Sequence, residues 1–208
     1  GSVYVSANKA VPAEKIDAFL VSKAGFILNA QKKFALQEQY KPQPKQYISG
    51  ETFYLQGRAL RLKVIQASKE QLYSDGVHLF LEVKDPQDFS KKERMVMRFF
   101  DRQCKEVFGE IVEELYPVFQ KYGVAVPSLR IRSMDTRWGS CLPGKGVITL
   151  NKRLLEAPRN CIEYVVMHEL CHFIHPNHSK HFYAFLSMLM PDWKERKKVL
   201  DANDTYYL

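Results

Sequence analysis

His168-Glu169-Leu170-Cys171-His172 is the stretch whose reading decides the fold, and it lies in an apolar run from Ile162 to Ile174. On an α-helix, residues four apart differ by only about 40° in direction, so the two imidazoles project from one face toward one point. Two such nitrogens can meet a zinc ion at about 2.0–2.1 Å. Glu169 falls about 100° round the helix, beside that point and not on it. This is where a carboxylate can take a proton from water activated by the metal. The pattern therefore points to zinc-assisted hydrolysis, with Glu169 as general base. A structural pair of core histidines would leave a buried Glu169 with no partner to account for it.

Catalytic zinc takes three protein ligands and keeps one position open. His175, His178, His181 and Glu195 all lie downstream. His175 should point roughly 60° off the ligand face. His178 follows Pro176-Asn177, where the chain can turn back under the metal, and H-E-x-x-H-x5-H is a spacing found in zincins with a histidine third ligand. His178 is the expected third ligand. His181, a turn into the next helix, is expected in a supporting or core position.

Upstream of this helix lies Arg137-Trp138-Gly139-Ser140-Cys141, in a loop between strand-like Leu129–Arg132 and Val147–Leu150. Gly139 is expected to allow a tight turn. Trp138 offers a flat surface, and Arg137 a bidentate fork for a carboxylate or phosphate. Both are candidate substrate-binding residues, and a strand edge here could pair with an extended peptide. Pro158 suits the first turn of a helix running to Ile174 or His175. Helices are also expected over Ser179–Met190 and from Pro191 to about Leu200.

Further out, Asp88 or Ser90 caps a helix expected to run to Tyr122. Between about 47 and 84, Thr52–Leu55, a Gln56-Gly57 turn, Leu60–Ala67 and Val77–Val83 predict a small antiparallel or mixed sheet. Val3–Ala7 reads as a short strand. Residues 12–40 carry Ile16, Phe19, Leu20, Ile27 and Phe34 at helical spacing, and Lys41-Pro42-Gln43-Pro44-Lys45 reads as a linker. The expected fold is α+β and zincin-like. A sheet-bearing N-terminal lobe (1–90) would accompany a helical metal-binding core with the HExxH helix (91–208).

Composition sets outer limits. The chain has 208 residues, 46% hydrophobic and 26% charged, the balance of a globular protein. No run reaches the roughly 18 apolar residues of a membrane span, so no membrane partner is expected. Four separated cysteines without a C-x-x-C pair argue against a cysteine zinc knuckle, and read as reduced thiols of a cytoplasmic protein. The net charge of +8 permits a nucleotide or nucleic acid as partner, although scattered lysines more often form a solvated surface.

Arg137 to Cys141, Ile148-Thr149-Leu150-Asn151, Arg153-Leu154, Ala157-Pro158, the His168–His172 motif, Asn177-His178-Ser179 and Phe182 together resemble the YgjP-like metallopeptidases. These are small zincins related to the SprT-like and WLM proteins. The resemblance extends more loosely through Ser49-Gly50-Glu51 and Gly57-Arg58 to Val3. It implies one zinc ion, or another divalent metal, on His168, His172 and His178, with Glu169 catalytic and a peptide or protein as substrate. It also implies that the family's first strand or two precede Val3. Two rival functions are a metal-dependent nucleoside triphosphate hydrolase, motivated by Arg130, Arg132, Arg137 and Arg153, and a DNA-associated SprT-like protein.

Overall fold

The computed structural model describes residues 3–8, 10–39 and 44–203, with side chains in the first helix described as far as residue 32. The chain forms two compact units, residues 1–44 and 45–207. In the first, α1 (Ala13–Gln39) begins just after Pro12, whose carbonyl accepts from Lys15 and Ile16. Ile16, Leu20 and Ile27 are partly buried, but Phe19 is exposed. Residues 3–8 are not in a strand, since so short a run forms one only where a partner strand pairs with it. The expected linker lies largely outside the described residues.

The second unit opens with a mixed four-stranded sheet. Its strands are β1 (Thr52–Leu55), β2 (Arg58–Gln66), β3 (Gln71–Ser74) and β4 (His78–Val83), in the order β1-β2-β4-β3. The β2–β4 pair is parallel and the other two are antiparallel. Gln56 and Gly57 both have positive φ (50° and 79°), the backbone of the two-residue turn that matches strand twist. Strand β3 escapes sequence reading because four residues carry too little alternation. Leu60, Leu62, Leu79, Leu81 and Val83 face one way and pack against Val96 and Phe99.

Those two residues belong to α2 (Phe89–Leu115), capped by Asp88, whose side chain accepts from the Lys91 amide. Its later residues Phe108, Ile111 and Val112 enter a second cluster, so one helix floors both cores. The helix does not run on to Tyr122. Pro117 has no amide hydrogen and opens α3 (Pro117–Gln120) instead. A second sheet follows, with β5 (Ser128–Arg132), β6 (Gly139–Leu142) and β7 (Val147–Asn151) in the order β5-β7-β6. Strand β7 pairs parallel with β5 and antiparallel with β6, so β6 is an edge.

A 3-10 turn (Lys152–Glu156) leads into α4 (Arg159–Cys171), which is followed by α5 (Lys180–Leu189) and α6 (Trp193–Asn203). Helix α4 is buried nearly all round. Its entry is fixed by the β1–β2 turn: the Gln56 and Gly57 amides donate to Leu155 and Glu156 at 2.8 and 2.9 Å. Among the described residues no helix is long and apolar enough to cross a membrane, and all four cysteines are free.

Candidate metal centre

Helix α4 ends at Cys171, earlier than the sequence suggests. Its last turn tightens, with the His172, Phe173 and Ile174 amides bonding back three residues, before Pro176 forbids continuation. His172, the capping residue, still has helical backbone (φ −65°, ψ −19°), so it keeps the four-residue relationship to His168. Ser179 then caps α5, its hydroxyl accepting from the Phe182 amide, which brings the short 172–179 connection back across the end of α4.

This turn brings His178 to the other two. One ligand atom from each of His168, His172 and His178 lies within 4.8 Å of the others, and His168 Nε2 is 2.8 Å from His178 Nε2. Phe182, fully buried, lies beneath all three, with ring centroids 4.9, 4.7 and 4.9 Å from the imidazoles. His172 Nδ1 meets the His175 carbonyl at 3.2 Å. That bond keeps a proton on Nδ1 and leaves the Nε2 lone pair for the cluster. His168 Nδ1 is buried without a hydrogen bond, so packing against Tyr164 and Phe182 sets that ring. The other candidates stand apart. His175 stacks with His181 at 6.4 Å and packs on Phe185, and Glu195 lies in the first turn of α6.

Burial, with His172 and His178 adding to it, pushes the His168 imidazole down to about 3; burial also lowers His172. These rings are therefore neutral lone-pair donors at neutral pH. The Nε2 atoms of His168 and His178 stand at hydrogen-bond distance, close enough to share a proton, and three nitrogen donors converging this way suit a divalent ion such as zinc. The residues fit a metal.

Glu169 is buried, and desolvation raises its carboxyl to about 8 against the opposing charge of Arg137. A Cβ added to Gly139 would lie 2.8 Å from Glu169 Oε1 and 2.9 Å from its Cγ. Gly139 opens β6 with an ordinary, not left-handed, backbone, so the expected tight turn is not its role. It is small because the Glu169 carboxyl lies against it. Beside them, Trp138, Tyr164, Glu169, Lys197 and Leu200 line a cavity of about 170 Å³. Arg137 is exposed and Trp138 partly buried.

Asn151 holds this arrangement. Buried at the end of β7, it donates from Nδ2 to the carbonyls of Met134 (2.7 Å) and Arg137 (2.8 Å), and its Oδ1 accepts from the Arg153 amide. Sequence reasoning gave Asn151 no function. Only the pairing of β7 with β5 and β6 reveals that one side chain ties the Met134–Arg137 loop to the turn before α4.

Mixed helix and sheet around three converging imidazoles is an arrangement suited to a metallopeptidase domain. The chain belongs to the YgjP-like family, whose metallopeptidase domain it matches over residues 1–203. Two solved metallopeptidase zymogens are similar to part of it. Jannalysin of Methanocaldococcus jannaschii is 22% identical (TM-score 0.39), the likeness covering 46% of this chain and 88% of that one. Abylysin of Pyrococcus abyssi is also 22% identical (TM-score 0.39), over 48% and 93%. The search of curated proteins finds no match.

Proposed function

We propose that the chain is a zinc-dependent metallopeptidase of zincin type, with His168, His172 and His178 as metal ligands and Glu169 as general base. The observation that supports this most directly is the convergence of three imidazoles over Phe182, one residue from a buried carboxylate. A divalent ion held there supplies a Lewis acid that acidifies water and polarises a carbonyl. Glu169 accepts the proton of the attacking water on its carboxylate and returns it to the leaving amine. Positive charge at the histidine cluster draws the Glu169 carboxyl down from its raised value, toward the ionised form this role requires.

Strand β6 lies at the edge of its sheet, starting at the residue that touches Glu169. An extended peptide added to that edge would carry its backbone past the carboxylate. Arg137 and Trp138, immediately before the strand, contact such a substrate.

The test pairs metal analysis with turnover of unfolded proteins. Wild type is expected to retain about one zinc and to cleave peptide bonds. Glu169→Gln is expected to keep the metal and lose on the order of 10²–10⁴-fold in kcat. Undiminished cleavage by the metal-loaded Gln variant, or no retained metal in wild type, overturns the assignment.

A further inference from the structure

Arg159 and Arg196 are each anchored by more than one acid. Arg159 pairs with Glu110, Glu114 and Glu163, and Arg196 with Glu163 and Asp192, at 2.6–3.4 Å. Arginines at the end of the second sheet behave otherwise. Arg132 closes β5 opposite Asn151, Arg137 hands its carbonyl to the Asn151 side chain, and Arg153 gives its amide to the same side chain. One buried asparagine thus gathers three arginine backbones at one place. Among the described residues none of the three forms an ion pair, although Glu156 lies close enough for Arg153 to influence it.

Arg153 carries the sharpest sign of a missing ligand. Its guanidinium lies over the Trp138 ring, 5.9 Å from the centroid, while its Nη2 is buried with no hydrogen bond. A buried guanidinium nitrogen left unpaired is costly, and the cation–π contact restrains where the fork lies. Two residues before Gly139, Arg137 is exposed, its guanidinium makes no hydrogen bond, and it is the cation whose field reaches Glu169. Trp138, between them in sequence, also lines the cavity beside Glu169.

From this geometry we infer that Arg137 and Arg153, braced by Trp138 and Asn151, form an oxyanion-binding subsite for a carboxylate or phosphate of the substrate. It deepens the peptidase reading by naming the substrate class, an anionic chain whose charged group lies next to the bond attacked. A planar guanidinium fork matches either anion in bidentate fashion, and the contact with Trp138 reduces the ordering lost on binding.

Calorimetric titration tests the site without turnover. The full chain is titrated with inorganic phosphate and with the capped peptides acetyl-Ala-Ala-Glu-amide and acetyl-Ala-Ala-Gln-amide. Each titration is run metal-loaded and again under chelation, so that an ion on the histidines cannot itself account for anion binding. Phosphate or the Glu peptide is expected to bind at least tenfold tighter to wild type than to Arg137→Gln or Arg153→Gln, with weakening as salt rises. Arg153→Lys, which keeps charge but not the fork, is expected to recover only part of the loss. The Gln peptide should not distinguish the variants. Preference for phosphate assigns a phosphorylated substrate, and preference for the Glu peptide an acidic one. Equal affinity in wild type and the double variant Arg137→Gln/Arg153→Gln, or no anion binding to wild type, overturns the proposal. Arg137 is exposed, so its variant carries the test if Arg153→Gln fails to fold. Absence of peptide cleavage by metal-loaded wild type would refute the peptidase reading alone and leave the anion site standing.

Discussion

Glu169 Oε1 occupies the space where a Cβ on residue 139 would stand: the two positions are 2.8 Å apart, closer than such atoms are found. Gly139→Ala must therefore push either the β6 backbone or the carboxyl aside. Because α4 is packed on every side, the carboxyl is the part that yields. Displacement by about 1 Å can cost on the order of 100-fold in rate. The expected result for Gly139→Ala is a kcat lower by roughly that factor with metal content unchanged. Unaltered kcat would show that Glu169 tolerates the shift and that its position against β6 is not what the reaction requires.

The proposed metal centre gives a second prediction, one of contrast. His178→Ala removes an imidazole whose Nε2 lies 2.8 Å from that of His168, whereas His181→Ala removes an exposed ring outside the cluster. Metal affinity, measured by competition with a chromogenic chelator, should fall in His178→Ala by more than the roughly 10–100-fold typical of losing an outer-shell partner. In His181→Ala it should stay within a few-fold. The reverse order would move the third ligand elsewhere.

What the sequence revealed depended on how local the signal was. The four-residue spacing of His168 and His172 is a property of one helix, and the return of His178 follows from Pro176 and the Ser179 cap, all within the twelve residues from 168 to 179. Strands β2 and β4 were visible because alternate leucines face a core. Strand β6 was not, since Gly139-Ser140-Cys141-Leu142 has neither alternation nor β-branched residues and is a strand only because β7 lies beside it. The requirement for glycine at 139 was equally hidden. It comes from a carboxyl thirty residues away, and a glycine in a loop ordinarily signals a turn. Helix α2 is shorter than its apolar stripe suggests for a local reason, Pro117, because the stripe runs straight through the proline.

A third prediction concerns how α4 is held at its start. The β1–β2 turn needs a positive φ of 79° at Gly57, and a Cβ there would lie 2.9 Å from Pro158 Cγ and 3.1 Å from its Cα. Gly57→Ala thus combines an unfavourable backbone with a clash at the residue that precedes α4. Each effect typically costs about 1–3 kcal/mol. Urea unfolding should show a lower midpoint by that combined order. Because two hydrogen bonds from this turn reach Leu155 and Glu156, metal affinity should fall alongside stability. A variant as stable as wild type would mean that the turn merely abuts α4 without bracing it.

The last prediction follows from Glu156. Burial raises its carboxyl to about 7, outweighing the opposing charges of Arg153 and Lys45. A carboxyl whose folded pKa lies above the unfolded value near 4.5 binds more protons in the folded state through that interval. Stability contributed by the neutral form is therefore fully present below about 4.5 and is lost as pH climbs toward about 7. Glu156→Gln replaces the acid with a neutral group of the same shape and removes this slope. The unfolding free energy of wild type should decline across pH 4.5–7 relative to the variant, by about 1–3 kcal/mol once partial solvent access is allowed for. Above pH 7 the Gln variant should be the more stable of the two. Parallel pH profiles would mean that Arg153 and Lys45 hold Glu156 ionised in the folded chain. Arg153 would then be partly satisfied by its own neighbour.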